Sequence, residues 1–366
     1  MSKKSKLTLL IDGNWLLMSR YSVLVNKTNS DTELAKEVQK LMIKSIMLVL
    51  KKFPDIDNII FVSDGGSWRN SIDIPQFLVE EKEKENVPVE YKGQRKLPDD
   101  VDWKIIFGYY EELIELLNQN HITACRVQNI EGDDWCWYWS KKLNEDGTNV
   151  IIWSMDKDLT QLVSYDEKSC VFTVCWNDKT GLFIKEMDNL NNDNVDPLDF
   201  FFNDLYKQTN IDLFDNLMNK CLKVTQINPN AVVIDKIIRG DKGDNIFPII
   251  LKKSNKEDSQ KLFRVSQRDI DFDLDINNDN NVKEYLHNIM SSKKYFNKMV
   301  NNDEINVFDH FKYNYKLVVL NENNYPQPIL DEMNSYMNYN VNNNVSNILQ
   351  YLNARNDQII DILDTI

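Results

Sequence analysis

The sequence predicts an α/β protein in which a central, mainly parallel sheet has helices on both faces and a C-terminal helical lobe follows. Short apolar runs that suit buried strands alternate, through the first half of the 366-residue chain, with segments whose apolar residues recur at helical spacing. In the second half, Asn- and Asp-rich segments separate helical stretches. Strands that alternate with helices are typical of parallel sheets built from strand–helix–strand units.

The first such unit lies within the first 64 residues. Strands are predicted at residues 7–12 and 58–64, because both segments are short, apolar and end in an acid. Between them, apolar residues recur every three or four positions, which predicts a helix. This stripe consists of Leu34, Val38, Leu41, Met42, Ile46 and Val49.

The alternation continues to about residue 185. The further predicted elements are a helix at 103–117, a strand at 123–127, a helix at 132–143 and a strand at 150–153. A β-hairpin is predicted at 171–184, with its turn near 177–181. The first domain, residues 1–185, and its sheet are expected to end there.

Residues 186–340 are predicted to form the helical lobe. A helical stretch at 232–240, a glycine turn and a basic segment at 252–256 predict a helix, a turn and a second helix. The segment 269–281 alternates Asp with apolar residues, so an amphipathic edge strand and a mobile acidic loop both stay open. Apolar positions in 341–366 predict a closing helix.

Composition argues against several classes of protein. No run approaches the roughly 18 to 20 apolar residues of a membrane helix, and the first six residues lead into a strand rather than a signal peptide, so we expect a cytoplasmic protein. The five cysteines form no CxxC pair and the three histidines no HExxH motif. The sequence therefore offers few ligands for a zinc centre and no pattern for a Ser/His/Asp triad. Carboxylates remain as the candidate catalytic groups.

The formal net charge of −14 argues against a nucleic-acid-binding protein when it is taken for the whole chain. This objection weakens if many acids face bound cations, which reverse the local charge, while the basic groups collect along one path.

Acids stand where the predicted strands end and where the next helix opens. They are Asp12, Asp64, Glu131, Asp133, Asp134, Asp156 and Asp158. Singly, each is also explained as a helix cap or a solvated loop residue. Because the carboxyl ends of parallel strands meet at one crevice, the full set would repel without cations. Hard oxygen ligands favour Mg²⁺, and two ions about 3.5 to 4 Å apart can hold a phosphodiester for attack by water.

A third acidic pair, Asp241 and Asp244, lies in a glycine-containing segment with Lys242. The spacing of three places both acids on one face if the segment is helical. Gly240 and Gly243 permit a tight turn and a close approach of the backbone to phosphate. Such a turn can bind a duplex backbone without reading its sequence, although an ordinary Asp-Gly turn between helices explains it too.

Six motifs follow one another along the chain. They are Leu10-Ile11-Asp12-Gly13-Asn14; Asp64-Gly65 with Arg69; Tyr91-Lys92-Gly93-Gln94-Arg95-Lys96; Glu131-Gly132-Asp133-Asp134; Asp156-Lys157-Asp158-Leu159; and Gly240-Asp241-Lys242-Gly243-Asp244-Asn245-Ile246. In this order they resemble the 5′-nuclease (PIN-like) superfamily of flap endonucleases, polymerase-associated 5′-exonucleases and phage RNase H. Residues 315–320 resemble the closing segment of the phage RNase H branch, of the T-even type. The resemblance covers about residues 7–340.

The resemblance implies a Mg²⁺-dependent 5′-3′ exonuclease or flap endonuclease that removes RNA primers as an RNase H during DNA replication or repair. Two or more Mg²⁺ ions, with Mn²⁺ as a substitute, would bind the seven acids above together with Asp241 and Asp244. Of these, Asp12, Asp64 and Asp156 would act in catalysis. The expected substrates are branched or nicked DNA and RNA/DNA hybrids, and the expected partner is a single-strand-binding protein or another replisome component. The protein would be a monomer without membrane contact, in the host cytoplasm if a phage encodes it.

The resemblance also implies how nucleic acid is bound. Lys92, Arg95 and Lys96 match the basic arch of the family, here near residues 69–100, with Lys92 positioning the scissile phosphate. Arg69 would be a second phosphate contact. With the resemblance set aside, a solvated charge segment beside residues 80–85 also explains the basic run. The helix-hairpin (H3TH) motif near 232–256 would hold the duplex through Gly240, Lys242, Gly243, Lys252 and Lys253.

The sequence departs from the family pattern at residues 247–253, which replace the usual glycine-rich second half of the hairpin. The Asn-rich stretch before Gly240 and the Glu/Lys segment ahead of Tyr91 also depart from it, and either would alter substrate choice or bind a replication partner.

Two other functions fit parts of the sequence. Residues 156–160 read Asp-Lys-Asp-Leu-Thr, which matches the DxDxT signature of haloacid-dehalogenase-like phosphatases, with Asp156 as nucleophile. That motif belongs after the first strand of its domain, whereas here other strand-end acids precede it. A non-catalytic DNA-binding relative is the other alternative. The aromatic run from Trp135 to Trp139 is interpreted as core packing rather than as a base-stacking surface.

Overall fold

The computed structural model describes residues 6–52, 56–120, 122–165, 170–177, 181–187, 221–253, 262–291, 295–296 and 304–336. The strands are β1 (Leu7–Asp12), β2 (Asn58–Val62), β3 (Thr123–Cys125), β4 (Asn149–Trp153), β5 (Ser164–Tyr165), β6 (Cys170–Asn177), β7 (Gly181–Met187), β8 (Cys221–Ile227), β9 (Leu251–Lys253), β10 (Leu262–Arg264) and β11 (Tyr295–Phe296). The helices are α1 (Gly13–Leu24), α2 (Asp31–Lys52), α3 (Gln76–Lys84), α4 (Trp103–Gln119), α5 (Gly132–Glu145), α6 (Pro229–Arg239), α7 (Asp279–Met290), α8 (Glu304–Val318) and α9 (Gln327–Ser335). Among these described helices, none combines the length and the apolar character that a membrane crossing requires.

The main sheet has the order β3-β2-β1-β4-β6-β7-β8, and its first five strands run parallel. In the centre, Leu9 of β1 pairs with Ile59 of β2 and with Ile151 of β4. Every residue of these three strands is buried, as the short apolar runs predicted. The predicted mainly parallel sheet is confirmed, and it places the carboxyl ends of β1, β2 and β4 side by side.

At the antiparallel end of the sheet, one prediction is confirmed and one is wrong. The hairpin is present, because β6 pairs with β7 from Thr173 opposite Lys185 to Asn177 opposite Gly181. The expectation that the sheet ends there is wrong, since β8 adds to β7 in parallel. Strand β8 follows β7 after a long connection, so the residues of the hairpin carry no pattern that predicts its pairing with β7.

Helices cover both faces of the sheet. On one face, Leu9 and Ile11 of β1 pack in a core with Val38 and Met42 of α2 and with residues of α4. On the other, α5 packs against β1, β2 and β4, and its aromatic residues Trp135, Tyr138 and Trp139 are buried. The interpretation of the aromatic run as core is therefore confirmed.

The chain divides into two compact units, neither of which is continuous in sequence. The first unit joins Met1–Ser67, Pro98–Ile227 and Tyr325–Ile366 and holds the main sheet. The second joins Trp68–Leu97 to Asn228–Asn324 and has its own core on α6, α7 and α8, beside a small sheet of order β10-β9-β11. The predicted domain boundary at residue 185 stays a prediction, and the closing helix predicted at 341–366 lies outside the described residues.

Two expectations for the second unit need correction. The segment after the glycine turn does not open with the predicted second helix, because Leu251–Lys253 form strand β9. Pro248 removes a backbone donor, and the β-branched Ile249 and Ile250 favour extended backbone. Of the two possibilities for 269–281, the edge strand is wrong: a 3-10 turn ends at Asp269, irregular turns follow, and α7 begins at Asp279, while the mobile acidic loop stays a prediction.

Candidate active site

Asp12 ends β1 and caps the helix that follows it. Its side chain accepts a hydrogen bond from the backbone N–H of Trp15 at 2.9 Å, which is the bond of an N-cap residue. Ser154, which follows β4, donates its hydroxyl to the other oxygen of Asp12 at 2.6 Å. Only 7% of Asp12 is exposed. Two neighbouring strands therefore hold this carboxylate in one orientation.

Asn14 connects three elements around Asp64, and sequence reasoning assigned it no role. Its amide nitrogen donates to Asp64 Oδ2 at 2.6 Å. Its amide oxygen accepts from the backbone N–H of Asp64, from Ser63 Oγ and from the hydroxyl of Tyr110, all between 3.0 and 3.1 Å. Asp64 itself also accepts from the backbone N–H of Gly132 at 2.6 Å. The only sequence signal for this role was the place of Asn14 in the first motif.

Ser154 also positions the acids that follow β4, Asp156 and Asp158. The backbone N–H of Asp156 donates to Ser154 Oγ at 2.9 Å, and the N–H of Asp158 donates to Asp156 Oδ1 at 2.8 Å. Because Ser154 also donates to Asp12, its single hydroxyl connects Asp12 by hydrogen bonds to the loop after β4. Ser154 is buried, and sequence reasoning missed it because serine beside a strand gives no periodic signal.

The acids that open α5 differ from one another. Glu131 and Asp134 form a reciprocal capping box at the start of the helix, and Ser67 donates to Glu131 Oε2 at 2.6 Å. Asp134 has no exposed surface: one oxygen accepts from the N–H of Glu131 at 3.0 Å and the other from the hydroxyl of Tyr325 at 3.0 Å. This placement favours a structural role for Asp134 over the predicted metal ligation. Asp133, by contrast, is half-exposed.

Gly65 allows the loops after β2 and β3 to meet. A Cβ atom at this position would lie 1.8 Å from the carbonyl oxygen of Val127, so any residue other than glycine would clash there. The close approach is fixed by two backbone bonds, from Gly65 N to Ile130 O at 2.8 Å and from Asn129 N to Gly65 O at 3.0 Å. The glycine of the second motif therefore brings Asp64 to the start of α5.

Electrostatics show which acids the first unit brings together. Burial raises the pKa of Asp12 to about 6 against its hydrogen bonds with Ser154 and Trp15, and the charges of Asp64 and Asp156 raise it further. Burial likewise raises the pKa of the Cys136 thiol, and the charges that add to this effect come from Asp12, Asp64, Asp133 and Asp156. Four of the predicted acids therefore converge at the carboxyl ends of β1, β2 and β4.

The donors at this edge fit a hard divalent cation. They are carboxylate oxygens, with no histidine or thiolate among the residues named, and Mg²⁺ prefers such ligands. A buried carboxylate beside two others is unfavourable without a positive charge, which a bound cation supplies.

The second unit places its two predicted metal ligands in a different environment. Asp241 and Ile246 close a turn with reciprocal backbone bonds at 2.9 and 2.8 Å. Asp244, within this turn, is buried and lies 2.5 Å from Lys236 Nζ, with a further ion pair to Arg95. Burial alone would raise the pKa of Asp244, but the positive charges of Lys236, Lys92 and Arg95 lower it below the ordinary value.

The predicted phosphate contacts of the second unit are not equivalent. Arg69 is only 3% exposed, and its Nε donates to the carbonyl oxygen of Leu317 at 2.9 Å. A buried guanidinium bound to the backbone favours a structural role for Arg69, and its contact with phosphate stays a prediction. Arg95, Lys96 and Lys242 are exposed, whereas Lys92 is half-buried.

The basic residues of β9 are described only in part. Lys252 is half-buried and lies 3.8 Å from Asp269. Lys253 is the last residue of the strand. The structure thus leaves both predictions of nucleic-acid contact as predictions.

Comparison with known proteins agrees with this arrangement. Residues 7–195 match the family described as 5′-3′ exonuclease, N-terminal resolvase-like domain. A curated 5′-3′ exonuclease of Buchnera aphidicola subsp. Acyrthosiphon pisum (strain APS) is 26% identical over 179 residues, which are 46% of this chain and 55% of that protein. The chain thus spans about half the length of the curated relative it matches.

Two solved structures match most of the chain. T5 5′-exonuclease with bound divalent metal ions (zinc) is 15% identical, covers 90% of this chain and 97% of its own, and has a TM-score of 0.52. The bacteriophage T5 flap endonuclease in complex with DNA and metal ions is 16% identical over 90% of this chain and 97% of its own, with a TM-score of 0.48. At these identities the likeness of T5 5′-exonuclease shows the fold alone, whereas the family match spans more than half of the chain. The chain belongs to the 5′-3′ exonuclease family.

Proposed function

We propose that the protein is a Mg²⁺-dependent 5′-3′ exonuclease and flap endonuclease that hydrolyses phosphodiester bonds near a free or branched 5′ end. The observation that supports it most is the convergence of Asp12, Asp64, Asp133 and Asp156 at the carboxyl edge of the sheet, where the burial of Asp12 beside other carboxylates calls for cations. Family membership supports the same activity.

The proposal assigns a role to each acid. Asp12, Asp64 and Asp156, with Glu131, Asp133 and Asp158, would hold two Mg²⁺ ions, or Mn²⁺ in their place. Bound ions of this kind activate a water molecule and stabilise the leaving oxygen of the phosphodiester. Asn14 and Ser154 hold the carboxylates in orientation before substrate binds, which lowers the cost of ordering them in the transition state.

Asp134 is a positioning residue in this proposal. Its two hydrogen bonds fix the first turn of α5, from which Glu131 and Asp133 project. For Asp241 and Asp244, metal ligation stays a prediction, because their described contacts within the second unit are to Lys236 and Arg95.

The substrates we propose are branched or nicked DNA and RNA/DNA hybrids. Lys92 would contact the scissile phosphate and offset its charge in the transition state, while Arg95, Lys96 and Lys242 would bind the backbone without reading sequence. Gly240, Gly243, Lys252 and Lys253 complete this predicted surface. Removal of RNA primers, and a single-strand-binding protein or replisome component as partner, belong to the same proposal, as does a monomeric state.

The test is a cleavage assay with a 5′-labelled flap duplex and an RNA/DNA hybrid, each with Mg²⁺ and then with excess EDTA. We expect short 5′ products that require Mg²⁺ and disappear with EDTA. Products from the hybrid as well as from the flap would support the RNase H activity, and products from the flap alone would restrict the function to DNA.

A parallel assay with p-nitrophenyl phosphate addresses the phosphatase alternative. Release of p-nitrophenol without strand cleavage would contradict the nuclease and assign Asp156 as a nucleophile. Binding of flap DNA with no cleavage in Mg²⁺ or Mn²⁺ would instead support the non-catalytic relative.

A further inference from the structure

Three consecutive backbone carbonyls just ahead of the basic residues accept hydrogen bonds from buried side chains of the second unit. Asn245 Nδ2 donates to the carbonyl oxygens of Pro88 at 2.6 Å and of Glu90 at 2.9 Å. Lys82 Nζ donates to the carbonyl oxygen between them, that of Val89, at 2.7 Å. The segment 88–90 forms no helix or strand, so these side chains replace the bonds that regular structure would supply.

Asn245 suits this position for two separate reasons. Its backbone has a φ of 59°, a left-handed conformation that asparagine adopts more readily than most residues. Its amide nitrogen carries two hydrogens, and each of the two carbonyls receives one bond from it. Asn245 is 5% exposed, so its amide has little access to water and depends on these carbonyls as hydrogen-bond partners.

The connection continues from the carbonyls to the basic residues. Lys92 N donates to the carbonyl oxygen of Asp244 at 3.0 Å, and Arg95 Nε donates to that of Gly243 at 3.1 Å. Arg95 also pairs with the carboxylate of Asp244. Lys92 has a φ of 55°, a conformation that persists for lysine only where surrounding contacts impose it.

We propose that Asn245 is a positioning residue that acts through Lys92. By holding the carbonyls of Pro88 and Glu90, it fixes the segment that leads into Lys92 against the turn of residues 240–246. The segment and the turn then form a single rigid element that holds Lys92 at the scissile phosphate. The inference rests on the proposed function, since that function assigns Lys92 to the scissile phosphate.

The test separates the amide of Asn245 from its backbone conformation. Asn245→Gly keeps access to positive φ and removes the amide. Because a displacement of about 1 Å can cost a catalytic group about 100-fold in rate, we expect kcat on a flap duplex to fall about 10- to 100-fold while Kd for the same duplex changes less than about threefold. Asn86→Gly is the matched control, since Asn86 is exposed, lies in the same unit and has a φ of 53°. It should leave kcat unchanged.

A double-mutant cycle tests the route through Lys92. In a Lys92→Ala background, Asn245→Gly should lower kcat no further, because its effect depends on the lysine. Multiplicative losses in the double variant would overturn the proposal, as would equal changes in kcat and Kd. If Asn245→Gly fails to fold, Asn245→Asp serves instead, because it keeps the size of the side chain and removes both donors.

Failure of the inference is distinguishable from failure of the function. A wild-type protein without metal-dependent cleavage would overturn both. A wild-type protein that cleaves, with an Asn245→Gly variant that cleaves at the same rate, would overturn the inference alone. Lys82→Met gives an independent measurement, since loss of the bond to Val89 should reproduce the fall in kcat and the coupling to Lys92.

Discussion

Asp12 and Asp244 are both buried aspartates in motifs of the same superfamily, yet the charges around them have opposite sign. The charges that shift the pKa of Asp12 upward, after burial itself, come from Asp64 and Asp156. Those that lower the pKa of Asp244 against the effect of burial come from Lys236, Lys92 and Arg95. One carboxylate belongs to an acidic cluster, and the other belongs to an ion-pair network.

The difference separates two uses of aspartate. At the sheet edge, neighbouring carboxylates repel one another and a bound cation would relieve this repulsion, so their arrangement suits the metal binding that we propose. In the turn, the side chains of the chain itself compensate Asp244, so its charge serves to hold Lys236 and the basic segment in place. Residue type alone does not distinguish these roles.

The largest effect is expected for Asp12→Asn. Asparagine can still cap α1, and its neutral amide is not repelled by Asp64 or Asp156. Cleavage should therefore fall about a thousandfold or more, because a ligand of the catalytic ions is lost, while thermal stability in EDTA stays the same or rises. Single-turnover cleavage and thermal unfolding measure the two quantities. Asp146→Asn, an exposed acid at the end of α5, is the control, and near-normal cleavage by Asp12→Asn would remove Asp12 from the metal site.

Asp244→Asn should act mainly on folding. The change removes the carboxylate charge that lies 2.5 Å from the buried ammonium of Lys236, while Asp241 stays at 3.2 Å. Removing one partner of a buried ion pair costs about 3 kcal/mol, which urea unfolding would detect. Asp235→Asn, which breaks a half-exposed pair with Arg239, should cost less than about 1 kcal/mol. A folded Asp244→Asn protein with a thousandfold loss of cleavage would break the comparison and place Asp244 among the metal ligands.

Ser154→Ala tests how strongly the proposed metal site depends on the orientation of its carboxylates. The hydroxyl donates to Asp12 and accepts from the N–H of Asp156, so its loss frees two acids at once. Partners of this kind typically contribute about 10- to 100-fold in metal affinity or activity, and we expect a loss in that range that higher Mg²⁺ concentration reduces. Thr160→Ser is a suitable control, because it keeps the hydroxyl of another buried residue that follows β4. A loss that is insensitive to Mg²⁺ would argue that Ser154 acts on folding instead.

Much of this arrangement was predictable from the sequence. Apolar runs located β1, β2 and β4, and the acids at their ends located the site, because strand direction alone brings those ends together. Helix α1 was missed, since its first turn follows Asp12 directly and the same residue ends the strand and caps the helix. Local patterns assign one role to a residue and give no sign of a second.

Contacts between segments distant in sequence were not predictable. Asn14 and Ser154 are short polar residues whose functions depend on partners 50 and 142 positions away. The resemblance implied a phosphate contact for Arg69, whereas its hydrogen bond to the carbonyl oxygen of Leu317 spans 248 positions. Periodicity records which face of an element is buried, and it contains no information on which polar groups meet across the fold.

The smallest effect concerns a buried group that has no charge in the folded state. Burial lowers the pKa of His310 to about 3, and the positive charge of Lys82 lowers it further. Above the ordinary pKa of histidine, folded and unfolded chains are both neutral at this position and it adds no pH dependence. As the pH falls below about 6.5, only the unfolded chain takes up the proton, so the free energy of unfolding should fall by about 1.4 kcal/mol per pH unit until about pH 3.

Lys82 does not disturb this window, since burial lowers its pKa only to about 8 and it stays charged throughout. Comparison of His310→Gln with the wild type isolates the contribution of His310 from that of the carboxylates, which titrate in both proteins. The difference in unfolding free energy between the two should change by about 1 kcal/mol from pH 6.5 to 5.5 in urea titrations, because the unfolded histidine is only half protonated at pH 6.5, while His287→Gln, at an exposed position of α7, should parallel the wild type. A His310→Gln protein with the pH slope of the wild type would show that His310 is protonated in the folded state. In that case burial beside a cation would not be enough to keep an ionisable group of the second unit neutral. The contrast between the charges around the buried groups of the two units would then rest on Asp244 alone.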